Sequence, residues 1–96
     1  MTEERAPREV DAALPLVLML GRDTCEDTIR SRDYLHLQGI PYVYRNVELD
    51  ADADAWNRSF NGGERRTPVI LVGDPSDPSS VLVEPSDDDL GAAIRG

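Results

Sequence analysis

Only one cysteine, Cys25, stands among the 96 residues, so no internal disulfide can form. In a chain this small that removes the usual reason for a cysteine in an oxidising compartment. Cys25 is therefore either a buried packing thiol or a reactive one. Long apolar runs are also missing. The longest, Leu14 to Leu20, is interrupted by Pro15 and falls far short of the roughly 20 residues that span a bilayer, so no membrane association is expected. Residues 1–13 mix acidic and basic side chains without an apolar segment or a small-residue cleavage pattern, unlike a signal peptide or an anchor. The expected location is the cytoplasm. Basic charge is scarce as well: 10 Lys and Arg against 19 Asp and Glu give a formal charge of −9, which disfavours a nucleic-acid partner by bulk repulsion. The acidic run Asp50 to Asp54 has neither the glycine nor the terminal glutamate of a calcium loop. It reads as the solvated start of a helix, and no metal site is expected.

What is present is an alternation of apolar patterns. Residues 1–13, charged and without periodicity, are expected to form a mobile tail, with one domain from 14 to 96. Leu14 to Leu20, ending at Gly21, suits a strand buried on both faces. A helix is expected from near Cys25, with Ile29, Tyr34, Leu35 and Leu37 as its partly apolar face and Gly39 and Pro41 as its stop. Tyr42 to Val47 reads as a second strand. Asp50 to Phe60 reads as a second helix, closed by Asn61-Gly62-Gly63. Thr67 to Val72 is a strand opened by Pro68. Gly73 to Ser80 reads as a loop, Ser80 to Glu84 as a fourth strand, and Ser86 with Asp87, Asp88 and Asp89 as the start of a last helix. The order β-α-β-α-β-β-α implies an α/β fold: a parallel strand pair joined by a crossover, a closing antiparallel pair, and thus a mixed four-stranded sheet flanked by helices.

That order, with a cysteine after the first strand and Thr-Pro opening the third, resembles the thioredoxin fold. Three local matches are similar to glutaredoxins, and closest in pattern to the actinobacterial mycoredoxins. Thr24-Cys25-Glu26-Asp27-Thr28-Ile29-Arg30 lies where the family carries its Cys-x-x-Cys or Cys-x-x-Ser segment. Asn61-Gly62-Gly63-Glu64-Arg65-Arg66-Thr67-Pro68 resembles a run ending in the family's cis-proline, and Glu84-Pro85-Ser86-Asp87 resembles the segment that opens the last helix. The chain departs from the pattern at Thr28, which takes the place of the second cysteine, and at the acidic pair Glu26-Asp27. The resemblance implies a groove for a small thiol, with Thr67 offering backbone hydrogen bonds beside Pro68. Ser86 and Asp87 would receive the amino end of the ligand and Arg65 would face a carboxylate. Mycothiol is the implied co-substrate and glutathione the alternative, with no tightly bound cofactor.

A thiol attacks as thiolate, and a helix N-terminus offers unpaired amide donors and a positive partial charge that favour that form. Cys25 is placed to receive both, with Arg22 and Arg30 as nearby cations. Asp23, Glu26 and Asp27 act in the opposite direction by like-charge repulsion. With one thiol the accessible chemistry is monothiol exchange on a mixed disulfide between a protein and a low-molecular-weight thiol, and the Thr28 hydroxyl can donate to the sulfur. The plainer readings stand beside these: Arg65-Arg66 as a solvated loop pair, Ser86 as a helix cap, His36 as a surface residue, and Trp56, Phe60 and Tyr34 as core or core-edge residues. Two rival functions are a redox-inert protein-binding module and an iron–sulfur carrier; the missing glycine after Cys25 argues against the latter.

Overall fold

The computed structural model describes residues 14–96; the tail expected over residues 1–13 lies outside them. The chain runs β1 (Val17–Gly21), α1 (Glu26–Leu37), β2 (Val43–Asn46), α2 (Ala51–Ser59), β3 (Val69–Asp74), β4 (Asp77–Val83) and α3 (Asp87–Arg95). The strands form one sheet in the order β2-β1-β3-β4. β1 pairs parallel with β2, Leu18 opposite Val43, and antiparallel with β3, Leu20 opposite Val69. The mixed sheet and its three helices match the expected architecture.

Alternation along the central strands divides the core into two layers. Val17 and Met19 of β1 join Ile70 and Val72 of β3 on the face covered by Leu35 of α1 and by Leu90 and Ile94 of α3. Leu18 and Leu20 join Val69 and Leu71 on the opposite face, covered by Ala53 and Trp56 of α2 and by Val47. Because β1 and the Val69–Val72 stretch of β3 are apolar at every position, both faces are buried there, and their C- and N-terminal ends respectively present the loops that carry Cys25 and Pro68.

Two expectations differ from the structure. Leu37 is 85% exposed and Ile29 is 45% exposed. The inward positions of α1 are instead Thr28, Ser31 and Leu35, which share one face at helical spacing, whereas Leu37 lies two residues round the helix from Leu35. Nor is Gly73 to Ser80 a loop. β3 and β4 continue to the pair Asp74–Asp77, with an irregularity at Val72/Gly73. The Asp74 carboxylate accepts from both the Ser76 amide (2.9 Å) and its hydroxyl (2.8 Å), closing the turn locally, and Pro78 is tolerated because it pairs at the bulge, opposite Gly73 at φ 99°.

Candidate functional site

Cys25 is the N-cap of α1, in extended backbone at φ −82°, and its side chain does not cap the helix. Its carbonyl accepts the Ile29 amide at 2.9 Å, which leaves the sulfur beside the open amides of the first turn, partly exposed. The seat beneath it is made by a glycine. A Cβ on Gly21 would stand 2.7 Å from Cγ2 and 3.0 Å from Oγ1 of Thr28, so the first turn of α1 reaches the end of β1 only because position 21 carries no side chain. Thr28 is fully buried there, with its hydroxyl accepting the Arg22 amide at 3.4 Å.

Across from the sulfur, the Thr67–Pro68 peptide is cis, and the Thr67 carbonyl accepts from Cys25 Sγ at 3.4 Å. This wall is held by Asn57 of α2, which is buried. Its Nδ2 donates to the carbonyls of Leu20 (3.3 Å) and Arg66 (2.6 Å), while its Oδ1 accepts the Arg66 amide at 3.0 Å. One side chain thus ties β1 to the strand entering the cis-proline.

The thiol is shifted below its ordinary value. Burial alone pushes it up. That is outweighed by hydrogen bonds to the sulfur from the Thr67 side chain, from the Thr28 amide and hydroxyl, and from the Asp27 amide. The contact to the Thr67 carbonyl belongs to the protonated thiol, since a carbonyl cannot donate to a thiolate. Two of the neighbouring carboxylates are taken up by partners. Asp23 accepts from Tyr44 Oη at 2.7 Å and lies 3.6 Å from Arg32, whose guanidinium stacks 4.0 Å over the Tyr44 ring. Asp27 accepts from Arg30 Nη1 at 2.8 Å. Burial, then the Asp23 carboxylate, drives the Tyr44 hydroxyl well above its usual range.

The expected ligand residues fall into two adjoining clefts. Arg22, Cys25, Arg65 and Thr67 line an open polar cleft of about 320 Å³, whereas Ser86 and Asp87 line a second one beside it. Thr28 and Pro68 are fully buried and line neither of these two clefts. Arg65 is in place but already bonded to Asp54, Nε to Oδ1 at 2.8 Å. Ser86 caps α3, accepting the Asp89 amide at 3.1 Å.

Sequence reasoning missed Glu84. It lines both clefts and adopts φ 51°, a left-handed conformation uncommon for a residue with a side chain. Its amide donates to the Pro68 carbonyl at 2.9 Å, which holds the residue beside the cysteine wall. No local signal announced this: a residue before proline is expected in extended backbone.

A four-stranded mixed sheet, three helices, a cysteine capping the first helix and a cis-proline opposite it define a protein of the thioredoxin-like class. The family model described as Glutaredoxin matches residues 17–75, more than half of the chain. The chain belongs to the glutaredoxin family. Its fold is similar to the crystal structure of the glutaredoxin grx-1 from Archaeoglobus fulgidus, with TM-score 0.70 and 20% identity over 100% of both chains. It is also similar to the solution structure of glutaredoxin from Brucella melitensis, with TM-score 0.60 and 20% identity over 83% of this chain and 78% of that one. No curated protein matches the sequence. Family and fold support a thiol–disulfide oxidoreductase-like function. Among the described residues, no helix is long and apolar enough to cross a membrane, and no group of three or more His, Cys, Asp or Glu is placed to hold a metal ion.

Proposed function

We propose that this chain is a monothiol glutaredoxin-like oxidoreductase, akin to mycoredoxins, that reduces mixed disulfides between proteins and a low-molecular-weight thiol in the cytoplasm. The observation that carries the reading is the sulfur of Cys25, partly exposed at a helix N-terminus and held below its ordinary pKa. The Cys25 thiolate attacks the small-thiol sulfur of the mixed disulfide. A Cys25–small-thiol disulfide forms, and the protein sulfur leaves as thiolate and takes a proton. A second small thiol, as thiolate, then attacks that disulfide, releasing the symmetric small-molecule disulfide and restoring Cys25. Thr28 in place of a second cysteine leaves the chain no internal route to resolve the intermediate. The Asn61-Gly62-Gly63 to Pro68 run favours mycothiol as the co-substrate, with glutathione the alternative.

The experiment is turnover of a protein disulfide-linked to mycothiol or to glutathione, with the matching free thiol as reductant. Wild-type protein is expected to release the substrate thiol catalytically and Cys25→Ser to release none. Absence of turnover with both thiols, together with a Cys25 that titrates at or above the free-cysteine value, would overturn the reading. One contact favours the alternative of a redox-inert binding module: the Sγ–Thr67 carbonyl hydrogen bond at 3.4 Å, which only the protonated thiol can make.

A further inference from the structure

We propose that the cysteine groove selects its disulfide by charge, disfavouring an anionic partner and favouring a neutral or cationic one, with Glu84 as the specificity-determining residue. The inference rests on the exchange reading above and names the substrate class of the same site. Glu84 is where the two clefts meet, lining both the one that contains Cys25 and the one over the start of α3. Its φ of 51° and its amide bond to the Pro68 carbonyl anchor it beside the cis-proline wall. A group that occupies the sulfur and extends toward α3 runs along Glu84.

The surroundings reinforce the sign. A bare helix N-terminus attracts anions through its open amides and positive end, but at α3 that end is spent within the chain. Ser86 already accepts the Asp89 amide, and Asp87, Asp88 and Asp89 fill the first turn. Among the described residues the one cation of the second cleft is Arg30, engaged by the Asp27 carboxylate at 2.8 Å and the Pro85 carbonyl at 3.0 Å. On the cysteine side, Arg65 is bonded to Asp54 at 2.8 Å and Arg66 lies 3.4 Å from Glu64, while Arg22, whose Nη1 donates to the Thr24 hydroxyl at 3.3 Å, shares the cleft with Glu48 and Glu84. Guanidinium groups committed to carboxylates of their own chain offer little net field to an incoming anion, and with Asp87 facing Arg30 at 3.9 Å, Glu84 and Asp88 then decide the potential over the α3 cleft. The formal charge of −9 acts in the same direction at longer range.

The test uses the full, reduced chain and three small symmetric disulfides: cystamine (dication), 2-hydroxyethyl disulfide (neutral) and 3,3′-dithiodipropionate (dianion). In each reaction Cys25 thiolate forms a disulfide with one half of the reagent and the other half leaves as thiolate. Rate constants are divided by those of N-acetylcysteinamide, which removes the reagents' intrinsic differences. The normalised cystamine rate is expected to exceed the dianion rate by about tenfold or more at low salt. The ratio should shrink toward one near 1 M salt, where screening acts within about 3 Å, and Glu84→Gln should lower it at low salt by at least about twofold. A dianion rate equal to or above that of cystamine, or a ratio unmoved by Glu84→Gln, overturns the inference and leaves the exchange reading standing. Inertness of Cys25 toward all three reagents overturns both.

Discussion

Arg30 Nη1 donates to the Asp27 carboxylate at 2.8 Å, and through Nη2 the same guanidinium reaches the Pro85 carbonyl at 3.0 Å. The pair balances a negative charge in the first turn of the cysteine helix and joins that turn to the segment entering α3. Removing the cation with Arg30→Gln leaves the Asp27 charge unopposed beside the sulfur, which disfavours the thiolate. Cys25 alkylation, followed by iodoacetamide rate against pH, is expected to titrate higher in Arg30→Gln than in wild type, with Arg30→Lys in between. Unchanged midpoints would show that the pair is solvated and without influence on the thiol.

Thr28 is buried, and its hydroxyl takes the Arg22 amide while serving the sulfur. The wild-type thiol is expected to titrate below about 8.5, the value of free cysteine. Thr28→Val keeps the shape, removes the hydroxyl and should raise the titration midpoint; Thr28→Ser keeps the donor and should leave it near wild type. Because the thiolate fraction changes rather than the nucleophile itself, most turnover should survive in Thr28→Val at a pH above its midpoint. Loss of activity at every pH would refute this division of roles.

Asn57 satisfies three backbone groups across two segments. Asn57→Ala leaves these buried groups without partners and opens a small cavity, so the chain should lose about 2–3 kcal/mol of stability. The loss would be read from the urea midpoint at constant slope. Near-normal stability would mean that water replaces the amide.

Asp54 is held below the ordinary carboxylate range by hydrogen bonds from Arg65 and then Arg58, and Asp50 by the Ala53 amide and then Arg45. A depressed folded-state pKa stabilises the fold above the unfolded value of about 3.9, and that contribution is lost as pH falls through the folded value. Thermal stability should therefore drop below about pH 4, and Asp54→Asn should show a shallower drop, with lower stability at neutral pH. Parallel pH profiles for the two proteins would contradict the linkage.

The element order was legible because β1 and β3 are apolar at consecutive positions and each helix begins with its own cap or acidic turn, features set by neighbours in sequence. The same locality explains the misreadings. Turn-forming residues from Gly73 to Pro78 describe a loop unless the Asp74–Ser76 bonds and the strand pairing are known. Leu37 counts as core until the register of α1 against the sheet is fixed by Gly21 and Thr28.

For the site, the sequence by itself determined that one thiol, Cys25, stands after a buried strand and at a helix start, with a Thr-Pro far along the chain as its counterpart. It also determined the presence of both favourable and unfavourable charges near that thiol. Only the tertiary structure decided the balance. The carboxylates of Asp23 and Asp27 are engaged by Tyr44 and Arg32 and by Arg30, and the sulfur gains donors from Thr28 and Thr67. Arg65 is bound to Asp54 and Glu84 is set at the meeting of two clefts. Residue spacing reports what lies along one helix or strand, whereas a pKa or a groove's charge depends on groups brought together from distant segments, and their distances exist only once the sheet has closed.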